Sequence, residues 1–115
     1  MTDVKQFLPL SPAIFHILLT LAEGERHGYA IKREIAKRTE GKLKLGAGAL
    51  YGAISKLLEQ GLIEESEERP DPHLDDERRR YYKLTPLGRR AAQAEAERMR
   101  DLVKLASVNL GFAKG

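Results

Sequence analysis

With 115 residues, 42% hydrophobic and 32% charged, the chain suits a single domain and is too apolar to be disordered. It has no cysteine, which excludes disulfides and thiolate metal sites. The net charge of +3 averages residues 1–63 at +3, residues 64–77 at −7 and residues 78–115 at +7, so two basic regions that would attract polyanions flank an acidic one.

Ser11-Pro12 predicts the start of a first helix, because serine caps free N–H groups and proline suits the first helical position. Ile14, Ile17, Leu18 and Leu21 give that helix one buried face, and Phe15, Leu19 and Ala22 give it a second apolar stripe beside the first. Two apolar sides imply two surfaces to cover, the helix's own core and another subunit. The helix ends near Glu23-Gly24.

A second helix is expected over residues 27–39, with Ile31 and Ile35 inward, a basic outer surface of Lys32, Arg33, Lys37 and Arg38, and Gly41 as its C-terminal cap. His27 and Gly28 would open this helix, and Tyr29 would pack near the helix that follows. Lys42-Leu43-Lys44-Leu45 alternates polar and apolar, which predicts a short half-buried strand. In the third helix Leu50, Ile54, Leu57 and Leu58 make a buried stripe that Gly61 terminates. The opposite side holds Gly48, Ala49, Tyr51, Gly52, Ser55 and Lys56. A mid-helix glycine costs about 1 kcal/mol against alanine. So many small residues on one face predict close approach by something large.

Leu62-Ile63-Glu64-Glu65 and Arg80-Tyr81-Tyr82-Lys83-Leu84 read as two strands around a polar, proline-bearing loop, a wing. Tyr81 and Tyr82 must face opposite sides, so one belongs to the core. Thr85-Pro86 starts a long fourth helix reaching about Leu110, with apolar positions at Leu87, Ala91, Ala94, Met99, Leu102, Val103, Ala106 and Leu110. A helix extending this far beyond so small a core points to a partner subunit.

The fold class expected is mainly α with a small β-wing. Residues 1–85 would form a winged helix-turn-helix domain, and residues 86–115 a C-terminal dimerisation helix. Such a domain lays its third helix in the major groove while flanking elements hold phosphates. The candidate DNA-binding residues are Lys32, Gly48, Ala49, Tyr51, Gly52, Ser55, Lys56, Arg78, Arg79 and Arg80. Tyr51 has two readings, a phosphate donor or a half-buried ring packing on the second helix. Phe15, Leu19, Met99, Leu102, Val103, Ala106 and Leu110 are the candidate dimerisation residues. The alternative function is a winged-helix protein-interaction module without direct DNA binding.

Glycine-rich phosphate loops, nucleophile motifs and HExxH are absent, so neither an enzyme nor a cofactor is expected. His16, His27 and His73 lack ligand spacing, so no metal is expected either. With no signal-peptide pattern and no apolar run near the roughly 20 residues of a membrane span, a cytoplasmic location is expected.

Five blocks in order resemble the PadR family of transcriptional regulators over roughly residues 12–88. They are Leu18-Leu19-Thr20-Leu21-Ala22-Glu23-Gly24, His27-Gly28-Tyr29-Ala30-Ile31, Gly48-Ala49-Leu50-Tyr51, Gly61-Leu62-Ile63 and Arg79-Arg80-Tyr81-Tyr82-Lys83-Leu84-Thr85-Pro86-Leu87-Gly88. The resemblance implies a homodimeric repressor on a palindromic operator of double-stranded DNA, clasped through the C-terminal helix and released by a small aromatic effector. It also associates the tyrosine at position 51 with DNA contact. The chain departs from the family pattern at Ala49, where Thr or Ser is common, and at Gly52, where Pro is common. A further oddity is the acidic wing, with Asp71, Asp75, Asp76 and Glu77 near its tip.

Overall fold

Helix starts fall where the chain supplies its own caps. In the computed structural model, which describes residues 3–66 and 80–112, the Ser11 hydroxyl accepts from the Ile14 N–H at the head of α1 (Pro12–Ala22). The His27 imidazole does the same for Ala30 at the head of α2 (Gly28–Arg38), and the Thr85 hydroxyl for Gly88 at the head of α4 (Pro86–Leu110). Each cap satisfies a backbone donor that has no partner within its helix. α3 (Ala47–Gln60) begins instead at Gly46, with no side chain over its N-terminus, and stops at Gly61, which adopts a left-handed φ of 76°. A short 3-10 turn, Val4–Phe7, precedes α1 and packs on α4.

The sheet is small. β1 (Arg26–His27), β2 (Ile63–Glu65) and β3 (Tyr81–Leu84) are antiparallel in the order β1-β3-β2, with Arg26 and Glu65 on either side of Tyr82. The chain is thus mainly helical with a small β-wing, as the pattern of elements predicted, and the wing strands gain β1 as a third member that the sequence did not announce. Ile17, Leu18, Leu21, Ile31, Ile35, Leu50, Ile54, Leu57, Leu62 and Ile63 form the core between the first three helices and the sheet.

The strand expected over residues 42–45 is not formed; the strand beside β3 is β1. Leu45 is buried and Leu43 half-buried, so the alternation marks anchoring of a loop on the core rather than a ladder. The reason lies at the end of α2. Glu40 takes a left-handed φ of 54° and Gly41 one of 78°, while the Gly41 N–H reaches back to the Ala36 carbonyl at 2.7 Å. Thr39 then accepts the Lys42 N–H on its carbonyl and the Leu43 N–H on its hydroxyl, so those donors are taken by the turn. The helix stop is therefore a two-residue left-handed turn, with Glu40 where glycine is usual and Gly41 after it.

α4 meets the domain at its first half only. Gly88, Ala91, Ala92 and Glu95 are buried, and the helix passes so close to the start of β2 that a Cβ on Gly88 would lie 1.9 Å from the Leu62 carbonyl oxygen. Beyond Arg98 no residue of the helix is buried, and the long dimension of the molecule is 55 Å.

Candidate nucleic-acid interface

α3 divides cleanly into two faces. Leu50, Ile54 and Leu57 fix one against the core, so the 3.6-residue period turns Gly48, Ala49, Gly52, Ser55 and Lys56 outward, and all five are exposed. Around Gly46, Gly48 and Gly52, an added Cβ would meet nothing within 4 Å. These glycines are not needed for packing within the chain. They leave a shallow, open face whose uncapped helix N-terminus carries free N–H groups and a partial positive charge, a suitable place for a phosphate.

Tyr51 lies between this face and α2. It is half-buried, and its ring edge and hydroxyl fill the space over Gly28, where a Cβ would come within 3.0 Å of Cε1 and 3.1 Å of Oη. Its packing on α2 is therefore direct. Tyr29, expected near α3, is 54% exposed and lies against the cations of its own helix, Lys32 at 6.0 Å and Arg33 at 5.4 Å from the ring centroid. Tyr51 already fills the space over Gly28, and the roughly 100° turn to the next residue carries Tyr29 away. Lys32 is half-buried beside it.

Not all of the basic surface read from the second helix is available as charge. Arg38 donates to both Glu23 and Glu34, and the Glu23 bond above all holds its guanidinium in the charged form. In the wing, Arg80 is exposed and lies 3.6 Å from Glu65, while Lys83 lies 3.5 Å from Glu64, its direct cross-strand neighbour. The base of the wing is thus charge-balanced. Tyr82 is the core member of the tyrosine pair, its phenol pushed up chiefly by burial and then by Glu65. Tyr81 stands half-exposed, edge-on to His27 at 5.5 Å. Arg78 and Arg79, with the acids Asp71, Asp75, Asp76 and Glu77, lie outside the described residues.

The candidate dimerisation residues lie mostly on the open half of α4. Met99, Leu102, Val103 and Leu110 are exposed and Ala106 is half-buried; Leu102 and Val103 are 50% and 54% exposed. On α1, Leu19 is exposed and Phe15 half-buried against the core.

Two features escaped the sequence reading. Glu95 is a carboxylate only 2% exposed that accepts the Leu10 N–H at 3.0 Å and two bonds from Arg98, tying the N-terminal segment to α4. Those bonds, Arg98's first, hold its carboxyl below the ordinary value of 4.5. Its partner Leu10 is 85 residues away, so no local pattern announces the contact. The second feature is a cleft where Tyr29, Lys32 and Arg33 meet Lys44, Leu45 and Gly46. Its only sequence signal is the spacing of Tyr29, Lys32 and Arg33, which puts an aromatic and two cations on one helix face.

A family model described as the transcriptional regulator PadR-like family matches residues 17–94. The chain belongs to the PadR-like family. Members of the PadR-like family are transcriptional regulators rather than enzymes.

Two curated relatives share parts of this PadR-like chain. It is 38% identical over 86 residues to an uncharacterized 37.1 kDa protein in transposon TN4556 of Streptomyces fradiae, covering 75% of this chain and 22% of that protein. It is 32% identical over 73 residues to "protein X" of Lysinibacillus sphaericus, covering 64% of each. The chain therefore spans less than two thirds of both. Among solved structures, a transcriptional regulator from Clostridium thermocellum superposes with a TM-score of 0.68 at 23% identity, over 96% of this chain and 98% of that one. A PadR family transcription regulator from Clostridium difficile gives 0.68 at 21%, over 88% and 100%. Both likenesses establish the fold. Among the described residues no helix is long and apolar enough to cross a membrane, and no cluster of three metal-ligating side chains occurs.

Proposed function

We propose that this PadR-like chain is a homodimeric repressor that lays α3 in the major groove of a palindromic operator. The observation that carries the reading is the open face of α3, where Gly48, Ala49, Gly52, Ser55 and Lys56 are uncovered while the other face is fully committed to the core. Ser55 and Lys56 are the side chains placed to reach bases or phosphates. Ala49 and the glycines let the duplex come close to the helix backbone. Tyr51, Lys32 and, at the wing, Arg78, Arg79 and Arg80 hold the flanking phosphates. Arg80 must exchange Glu65 for phosphate to do so.

Dimerisation follows from the half of α4 that its own domain leaves uncovered. Met99, Leu102, Val103, Ala106 and Leu110 pair with a second copy, extended by Phe15 and Leu19 of α1, and residues 86–115 act as the dimerisation segment. Two α3 helices related by a two-fold axis then read half-sites about one helical turn apart, roughly 34–36 Å. The proposal includes a small aromatic effector seated among Phe15, Leu19, Met99 and Val103. By linkage, such a compound and DNA must weaken each other's binding equally.

The test combines sedimentation with selection of bound duplexes from a random pool. Wild type should sediment as a dimer and select inverted repeats, whereas Val103→Glu, at an exposed position, should yield folded monomers that bind the selected site much more weakly. A wild-type chain that stays monomeric at micromolar concentration, or that retains no duplex, refutes the reading. Retention of a protein partner without DNA would favour the interaction-module alternative.

A further inference from the structure

The cleft beside the N-terminus of α3 encloses about 350 Å³ and is lined by Tyr29, Lys32, Arg33 and Ala36 on α2 and by Lys44, Leu45 and Gly46 on the loop that leads into α3. Three of its seven lining residues are cations and none is acidic. Among the described residues the ion pairs engage Arg38, Arg80, Lys83, Arg98 and Arg100, and none engages Lys32, Arg33 or Lys44. Three ammonium and guanidinium groups gathered without a carboxylate repel one another, and an anion seated among them removes that cost. The cleft ends at Gly46, the helix cap that carries no side chain, so the free N–H groups at the start of α3 open toward the same place. Its wall is an exposed tyrosine ring with Lys32 and Arg33 drawn against it. Cations above, free amides at one end and an apolar ring along the side fit one repeating chemistry, a phosphate ester joined to a sugar.

We propose that this cleft is a clamp for a backbone phosphodiester of the DNA duplex, held by Arg33, Lys44 and the N-terminal amides of α3, with the deoxyribose against Tyr29. The inference rests on the reading of α3 as the major-groove helix, and it assigns Tyr29, Arg33 and Lys44 a role that the recognition face alone does not. A phosphate fixed at the head of α3 sets how deep that helix sits and which way it points, before any base is read.

Fluorescence anisotropy with a mixed-sequence duplex, across a series of salt concentrations, tests the clamp. Removing one phosphate contact releases fewer counterions, so Arg33→Gln and Lys44→Gln should each flatten the log–log salt slope by about 0.9 and weaken binding by about three- to tenfold. Lys44→Arg, which keeps the charge, should retain the wild-type slope. Tyr29→Ala should weaken binding with the slope unchanged. Lys5→Gln, in the 3-10 turn on α4, should match wild type and serves as the control for net charge. These side chains other than half-buried Lys32 are exposed, so melting temperatures should stay at the wild-type value and show that each variant is folded. If Arg33→Gln and Lys44→Gln keep the wild-type slope while Lys56→Ala flattens it, the clamp is wrong and the reading of α3 stands. If wild type binds no duplex at all, that reading falls and takes the clamp with it.

Discussion

Replacing Gly88 by alanine tests a close approach between two elements of this fold. The new Cβ would lie 1.9 Å from the Leu62 carbonyl oxygen, 2.9 Å from its carbon and 2.9 Å from Leu84 Cδ1. To reach even 3.0 Å from that oxygen, α4 and the start of β2 must separate by about an ångström. Neither can yield cheaply. The Leu62 carbonyl accepts the Thr85 N–H, and the Thr85 hydroxyl donates to the Gly61 carbonyl at 2.6 Å, so the junction is fastened on both sides. Overpacking a core costs about 1–3 kcal/mol, more where backbone is the obstacle, against a helix-propensity gain from alanine of about 1 kcal/mol. The net expectation is a loss of about 2–3 kcal/mol. At about 4 °C per kcal/mol, that lowers the melting temperature by roughly 10 °C. Thermal and urea denaturation followed by circular dichroism, at one fixed protein concentration, measure it. Gly52→Ala is the contrast: with nothing within 4 Å, the same methyl should stabilise the free protein by about 0.5–1 kcal/mol and weaken DNA binding. A Gly88→Ala variant melting at or above wild type would refute the close-packing argument.

Two further predictions concern stability. Glu95→Ala removes the acceptor of the Leu10 N–H and of two Arg98 bonds, which should cost about 1.5–3 kcal/mol at neutral pH. Because the folded carboxyl titrates below 4.5, its contribution is full above that value and is lost as pH falls through the lower folded pKa. Urea titrations of wild type and variant should therefore converge in acid, and a gap that persists undiminished at the acid end would show that the carboxylate is not the cause. Glu40→Gly relieves a left-handed φ of 54° at the end of α2 and should raise stability by about 1 kcal/mol, read as a melting temperature about 4 °C higher; a lower one would contradict the strain.

Local chemistry wrote most of the helices. Serine or threonine before proline, glycine after an apolar stripe, and the spacing of Leu50, Ile54 and Leu57 are all readable along the chain, and each names a cap or a face. The exposed side of α3 followed from the same spacing, because a helix that buries one face must show the other. What the sequence left open is whatever depends on elements brought together from afar. Residues 42–45 have a strand's alternation, but a ladder needs a partner with free N–H and C=O groups, and β3 takes Arg26–His27 on one edge and β2 on the other. Tyr29 and Tyr51 are equally aromatic in sequence; only the packing of α3 across Gly28 makes one half-buried and leaves the other exposed. Glu95 is one of several carboxylates on α4 until the N-terminal segment places the Leu10 N–H beside it. The same holds for the cleft, where Lys44 joins Arg33 because the turn after α2 folds the loop back. Periodicity decides which way a side chain faces along its own element, whereas the partner it meets is set by distances between elements, and those exist only once the core has closed.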